Sequence, residues 1–256
     1  MAAEMQNLAR AIGVIPARYG SVRLPAKPLV RIAGKPLVQH VYERARQSRR
    51  LERVLVATDD ERIAAVVRGF GGECMMTRAD HASGTDRIAE VAAESDAELF
   101  VNVQGDEPLI QPEAIDQLVA GFDGDDGQIS IATLCVPIAE LEVVCDPHVV
   151  KVIFDRDGFA LNFSRTPIPY ASGQHRACQG THFKHLGIYA YRREALLAFS
   201  RLPSSPRETA ERLEQLRFLE NGYRIRVVQT TFDSVSVDVP ADVARVERLL
   251  AEKGPP

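Results

Sequence analysis

Three short apolar runs constrain the fold of this chain most. Residues 12–15 stop at Pro16, residues 54–56 stop at Thr58-Asp59, and residues 99–103 stop at Gln104-Gly105-Asp106. None alternates with polar residues, the mark of strands buried on both faces. Helix-period segments lie between them. One starts at Pro36, with Leu37, Val41 and Ala45 on one stripe. A second follows Asp59 or Asp60, either of which can cap it, and ends near 69–72; a third runs from Thr85 through Ile88, Val91 and Ala92. Alternating strand and helix predicts an α/β chain with a mainly parallel, doubly wound sheet. Ligands of such sheets bind beyond the carboxyl ends of the strands. Three of those ends carry Ala17-Arg18, Thr58-Asp59 and Gln104-Gly105-Asp106.

The second half has another texture. Val150, Val152 and Phe154, then Phe159, Leu161 and Phe163, alternate around Arg156-Asp157-Gly158 and predict a β-hairpin. Residues 166–180 are polar and contain Pro167, Pro169, Gly173 and Gly180, which reads as a loop over the site or at a subunit contact. Residues 183–191 predict a strand. Residues 208–221 predict one helix anchored by Leu213, Leu216 and Leu219, and Pro240 opens a last one through Val243, Val246 and Leu250. No repeat breaks the chain. The expectation is a single domain over 1–256, with an antiparallel lobe at approximately 146–191.

The bulk properties exclude some functions. For a chain of 256 residues, a formal charge of −4 argues against a nucleic-acid binder, which needs a broad basic surface, though a small basic pocket remains compatible. Cys74, Cys135, Cys145 and Cys178 have no zinc spacing and suit a reducing compartment. No run reaches transmembrane length, and residues 1–10 lack a signal-peptide core. A cytoplasmic protein without membrane insertion is expected.

Chemistry gathers at the strand ends. Residues 17–28 place Arg18, Arg23 and Lys27 on a loop stiffened by Pro25 and Pro28 and opened by Gly20. Arginine forks and a lysine point charge suit phosphate oxygens, and N–H groups near Gly20 and Ser21 add to such a cradle. A solvated basic loop would carry the same charges. The pattern is neither a Walker A nor a dinucleotide motif. Asp106 comes first after the third buried run and is a Mg²⁺-ligand candidate, with a turn aspartate as the alternative. Asp238 ends the run 235–237 ahead of Pro240 and could equally cap a helix.

Taken in order, these residues resemble the bacterial CMP-Kdo synthetases, 3-deoxy-manno-octulosonate (Kdo) cytidylyltransferases. Ile15-Pro16-Ala17-Arg18, Arg23-Leu24-Pro25 and Lys27-Pro28-Leu29 resemble the opening signature. Thr77-Arg78-Ala79-Asp80-His81 with Ser83-Gly84-Thr85-Asp86-Arg87 resembles the second block, and Val101 to Pro108 the third. His185-Leu186-Gly187-Ile188-Tyr189 and Leu213-Glu214-Gln215-Leu216-Arg217 resemble sugar-side blocks; Val237-Asp238 with Pro240 and Asp242 resembles the last. The likeness runs from about 11 to 250.

The resemblance implies a nucleotide-sugar-transferase-like (Rossmann-like) sheet with an antiparallel dimerisation lobe. It implies a nucleotidyltransferase that moves CMP from CTP to Kdo for lipopolysaccharide synthesis, with Mg²⁺, as a homodimer. Arg18, Ser21, Arg23 and Lys27 would hold the triphosphate, and Arg78, Ser83 and Gln104 the cytosine and ribose. Asp106 and Asp238 would bind Mg²⁺, and with Arg18 and Lys27 form the catalytic set. Arg165, His185, Tyr189, Glu214 and Gln215 would hold the sugar acid. Tyr189 could instead pack in a strand, Glu214 and Gln215 could face solvent, and His185 could be a bonded core histidine. Ala26 stands where many relatives have glycine, and Val239 where threonine is frequent. The alternatives are a CMP-sialate or other CMP-sugar-acid synthetase, or a catalytically silent nucleotide-binding module.

Overall fold

The computed structural model describes residues 10–21, 23–125, 127–170 and 180–253. They fall into two compact units, one within 10–116 and 234–253, the other within 117–233.

The first unit begins with β1 (Ala11–Ala17), followed by a 3-10 turn at Lys27–Leu29 and a small hairpin of β2 (Arg31–Ile32) and β3 (Lys35–Pro36). Then come α1 (Leu37–Ala45), β4 (Arg53–Thr58), α2 (Glu61–Gly69), β5 (Glu73–Met76), α3 (Gly84–Ala93) and β6 (Leu99–Asn102). The strands form a parallel sheet in the order β6-β1-β4-β5. The apolar stripes decide which helix faces are covered: Leu37, Val41 and Ala45 of α1, and Ile63, Ala64 and Val67 of α2, are all buried. Asp60 caps α2 and Ser83 caps α3, each accepting a backbone N–H of its first turn.

β1 runs through Pro16 rather than stopping at it. Val14 O accepts from Val103 N, so alternate residues 12, 14 and 16 face β6. Pairing with β6 ends at Val14, whereas pairing with β4 continues to Ala17. The N–H that Pro16 lacks would have pointed to the unpaired side.

α4 (Pro112–Ala120) leads into the second unit. There follow β7 (Ile131–Pro137), α5 (Leu141–Cys145), β8 (Lys151–Phe154), β9 (Ala160–Ser164) and β10 (Phe183–Arg192). Next are α6 (Arg193–Phe199), α7 (Pro206–Glu211), α8 (Gln215–Glu220) and β11 (Ile225–Gln229). β10 pairs antiparallel with β7 and β8, β8 with β9, and β11 lies parallel to β7. The expected hairpin is β8–β9, and the fold is the expected mainly parallel α/β sheet with an antiparallel lobe. The segment 208–221 is two helices, not one. Arg212 adopts φ 56° at the end of α7 and breaks the run. A capping box of Ser205 and Glu208 fixes the start of α7, and burial of Leu213 and Leu216 fixes the second helix's direction. Of the loop 166–180, residues 171–179 and with them Cys178 lie outside the described residues, as does the segment 1–9.

The chain returns to the first unit with α9 (Pro240–Lys253), which Pro240 opens as expected. Among the described residues, no helix is long and apolar enough to cross a membrane.

Candidate active site

One satellite core explains how distant segments of the first unit meet. Leu24, Ile32, Leu37, Leu109, Val237 and Val246 are buried against one another, with Val30, Val235 and Val243 packed on them. Leu24 and Val30 flank Lys27, Leu109 follows Asp106 by three, and Val237 directly precedes Asp238. Burying each of these side chains contributes roughly 1.5–3 kcal/mol, so hydrophobic packing holds three polar segments side by side. A backbone bond completes the register, with Val237 N donating to Asp106 O at 2.8 Å. Gly105 lets the turn before Asp106 lie on the end of β1, because a Cβ there would come within 3.1 Å of Pro16 O.

The polar groups converge. Lys27 Nζ donates to Asp106 Oδ2 at 2.7 Å and to Asp238 Oδ1 at 2.9 Å. Arg23 Nη2 donates to the same Asp238 oxygen at 2.9 Å. The two carboxylates therefore share one cation and lie no further apart than the two Lys27 distances combined. Lys27 is reached from Ala26, whose φ of 54° turns the chain left-handed at the start of the 3-10 turn. Asp242 fixes the other side: its Oδ2 accepts from the backbone N–H of Asp238 at 2.8 Å and of Val239 at 2.9 Å. Those two N–H groups, Asp238 first, hold the Asp242 carboxyl below the ordinary carboxylate range.

The remaining nucleotide-side candidates are less gathered. Arg18 and Arg78 are exposed; Ser21, Ser83 and Gln104 are half-buried. Arg78 forks onto Asp80 at 2.9 and 2.8 Å, while its backbone N–H donates to Glu90 at 3.0 Å. Ser83 Oγ donates to Asp86 Oδ2 at 2.9 Å while it caps α3. Arg87 is a residue to which the sequence reading gave no role. Buried, it reaches Asp59 at 3.0 Å, the Thr77 hydroxyl, and Arg78 O at 3.3 Å, and so ties the end of β4 to the Arg78 segment.

The sugar-side candidates belong to the second unit. Arg165 donates from Nε to Glu211 O at 2.8 Å and from Nη1 to Pro147 O at 3.1 Å. Beneath it Lys151, fully buried, donates to Asp146 O at 2.9 Å, Val149 O at 2.6 Å and Arg165 O. All three ammonium protons end on carbonyls, and burial pushes the Lys151 pKa down. His185 is buried with Nε2 3.0 Å from Thr133 Oγ1, and burial pushes its pKa down to about 3, so it is neutral. Tyr189 is half-buried between His185 and Tyr191, at ring distances of 5.4 and 5.7 Å. Burial raises its pKa well above the usual value, so its hydroxyl keeps its proton. Gln215 is buried at the start of α8; Glu214, just before it, is exposed. Lys151 was missed because all of its partners are backbone carbonyls; Glu211 and Thr133 were missed because theirs, the Ser164 hydroxyl with the Arg165 N–H and the His185 ring with two carbonyls, lie far away in sequence.

Against known proteins, the cytidylyltransferase family model matches residues 12–225. A 3-deoxy-manno-octulosonate cytidylyltransferase of Syntrophotalea carbinolica is 56% identical, over 91% of this chain and 96% of the relative. That of Geobacter metallireducens is 51% identical, over 93% and 96%. A solved CMP:2-keto-3-deoxy-manno-octonic acid synthetase complexed with CTP superposes with a TM-score of 0.90 at 46% identity, covering 96% of this chain and all of that one.

Proposed function

The chain belongs to the 3-deoxy-manno-octulosonate cytidylyltransferase family, and on that premise we propose that it transfers CMP from CTP to the anomeric 2-hydroxyl of Kdo, releasing pyrophosphate. The observation that carries the reading is the convergence of Lys27 on Asp106 and Asp238 at 2.7 and 2.9 Å. A catalytically silent nucleotide binder has no use for two carboxylates drawn to one point.

The donor set fits Mg²⁺. Two partly exposed carboxylates already face one cation, and Mg²⁺ is usually held by one or two carboxylates plus substrate phosphates. Asp106 and Asp238 would hold it, where it would neutralise phosphate charge and lower the pKa of the attacking hydroxyl. The protein's own groups supply positioning and charge. Lys27 and Arg23, drawn off the carboxylates, offset charge on the phosphates with Arg18, and Ser21 adds a hydroxyl. Lys27 and Arg18 stabilise the leaving pyrophosphate. Arg78, Ser83 and Gln104 bind cytosine and ribose. Arg165 takes the carboxylate of the sugar acid, and His185, Tyr189, Glu214 and Gln215 its hydroxyls. Attack is in line at the α-phosphorus without a protein nucleophile, so catalysis rests on orientation and electrostatics.

We place this reaction in the cytoplasm, in a homodimer, as the source of activated Kdo for lipopolysaccharide. The whole chain acts as one catalytic domain. Purified protein given CTP, Mg²⁺ and a panel of sugar acids tests the reading. Pyrophosphate release with Kdo and the mass of CMP-Kdo are expected; faster turnover with a sialic acid would reject the assignment.

A further inference from the structure

β10 does not run straight past β7. Its register shifts between Leu186 and Tyr189. There the carbonyls of Leu186 and Ile188 both meet one hydroxyl, Thr133 Oγ1, at 3.2 and 2.8 Å. The same oxygen lies 3.0 Å from His185 Nε2. Three groups thus share a hydroxyl that has one proton. A carbonyl can only accept, and two oxygens 2.8 Å apart with no proton between them repel. The Thr133 proton therefore goes to a carbonyl, the Ile188 one being nearer. The hydroxyl has only lone pairs left for His185, so Nε2 must carry the proton of that contact. Burial pushes the pKa of the ring down to about 3 and so keeps it neutral, which makes this its only ring proton. Nδ1 is left as a bare lone pair, without a hydrogen-bond partner among the described residues. The ring is set edge-on against Phe163, at 4.9 Å and 78°, which fixes the direction of that lone pair.

We infer that Thr133 is a positioning residue that holds His185 as its Nε2–H tautomer, so that Nδ1 accepts a hydrogen bond from a hydroxyl of the sugar acid. The sugar half of this inference rests on the proposed reading of His185 as a Kdo contact. The consequence is a division of labour. A carboxylate or phosphate oxygen facing Nδ1 would set lone pair against lone pair, so His185 selects a hydroxyl donor. The acid group of the substrate is left to Arg165, whose guanidinium offers only donors.

The test uses the full chain labelled with ¹⁵N-histidine, the His185 signal being identified by its loss in His185→Asn. In the unliganded protein Nδ1 should be the unprotonated nitrogen and stay so as the pH falls from about 8 to about 5. Adding Kdo with CTP and a chelator should shift the Nδ1 resonance. Thr133→Val should raise KM for Kdo about tenfold and leave KM for CTP within about twofold. Thr133→Ser, which keeps the hydroxyl, should restore both spectrum and KM. A proton on Nδ1 in the wild type, an Nδ1 signal unmoved by Kdo, or an unchanged KM for Kdo in Thr133→Val overturns the inference. If Thr133→Val does not fold, the wild-type spectrum and its response to Kdo decide alone. Failure of the wild type to make CMP-Kdo defeats the proposed function and the sugar half with it, while the tautomer is read independently on unliganded protein.

Discussion

Replacing Lys27 by methionine should change two measurements in opposite directions. The ammonium sits 2.7 Å from Asp106 and 2.9 Å from Asp238, with its side chain 15% exposed and the carboxylates 29% and 32% exposed. A fixed cation at the place where phosphate charge develops is worth about 3 kcal/mol, so turnover should fall on the order of a hundredfold. In the nucleotide-free protein the same ammonium competes with any dication for the two carboxylates. Because water reaches all three groups, each contact is worth about 1 kcal/mol or less. Removing the competitor should therefore tighten Mn²⁺ binding without nucleotide on the order of tenfold. Methionine keeps the length of the stem, and the core of Leu24, Ile32, Leu37 and Val237 does not involve the ammonium. The melting temperature should move by no more than a few degrees. Pyrophosphate release gives the turnover, and Mn²⁺ titration followed by electron paramagnetic resonance gives the affinity. Turnover within threefold of wild type, or Mn²⁺ binding that weakens, would refute the shared-cation site.

Asp242→Asn should loosen the backbone of Asp238 and destabilise the fold at neutral pH. The Asp242 carboxyl is held below its ordinary 3.8, so its contribution is present above that value and is lost as pH falls through the lowered one. The stability gap between variant and wild type, read by urea unfolding at pH about 7 and about 3, should therefore narrow in acid. Ala26→Gly should leave stability within about 1 kcal/mol, because relief of a left-handed alanine, about 1–2 kcal/mol, is offset by glycine's greater unfolded freedom. Ala26→Val should be distinctly less stable in the same assay. Lys151→Met should cost about 3 kcal/mol or more, since three carbonyls lose their donor, and thermal melting checks it.

Those residues also mark where the sequence stops being informative. The buried runs of β1, β4 and β6 were legible because strands covered on both faces need apolar side chains at every position. Their carboxyl ends then pointed to Lys27 and Asp106. β5 was not legible: residues 73–76 form a four-residue edge strand with exposed ends and no β-branched or aromatic residue. β7 and β11 were not read as strands, although residues 131–136 of β7 are buried at every position; β7 pairs antiparallel with β10 and parallel with β11. The break at Arg212 was hidden because the period of Leu213, Leu216 and Leu219 begins directly after it, and neither glycine nor proline marks the left-handed residue. That Asp106 and Asp238 carry acidic side chains after short apolar runs was plain. That they meet depends on Val237 N finding Asp106 O, a backbone bond with no side-chain signature. Lys151 escaped for the same reason, since its partners are main-chain carbonyls. Asp242 stood in the last block, but its role was hidden because its partners are main-chain N–H groups, and Thr133 escaped because the His185 ring and the two carbonyls that it meets lie far away in sequence.

Anomalous diffraction from crystals grown with CTP and Mn²⁺ tests the central claim most directly. A single ion bound by Asp106 and Asp238 should give a peak about 2.1 Å from one oxygen of each, with phosphate oxygens completing its shell and Lys27 moved onto the phosphates. A peak that touches neither carboxylate, with Lys27 still bonded to both, would contradict the account.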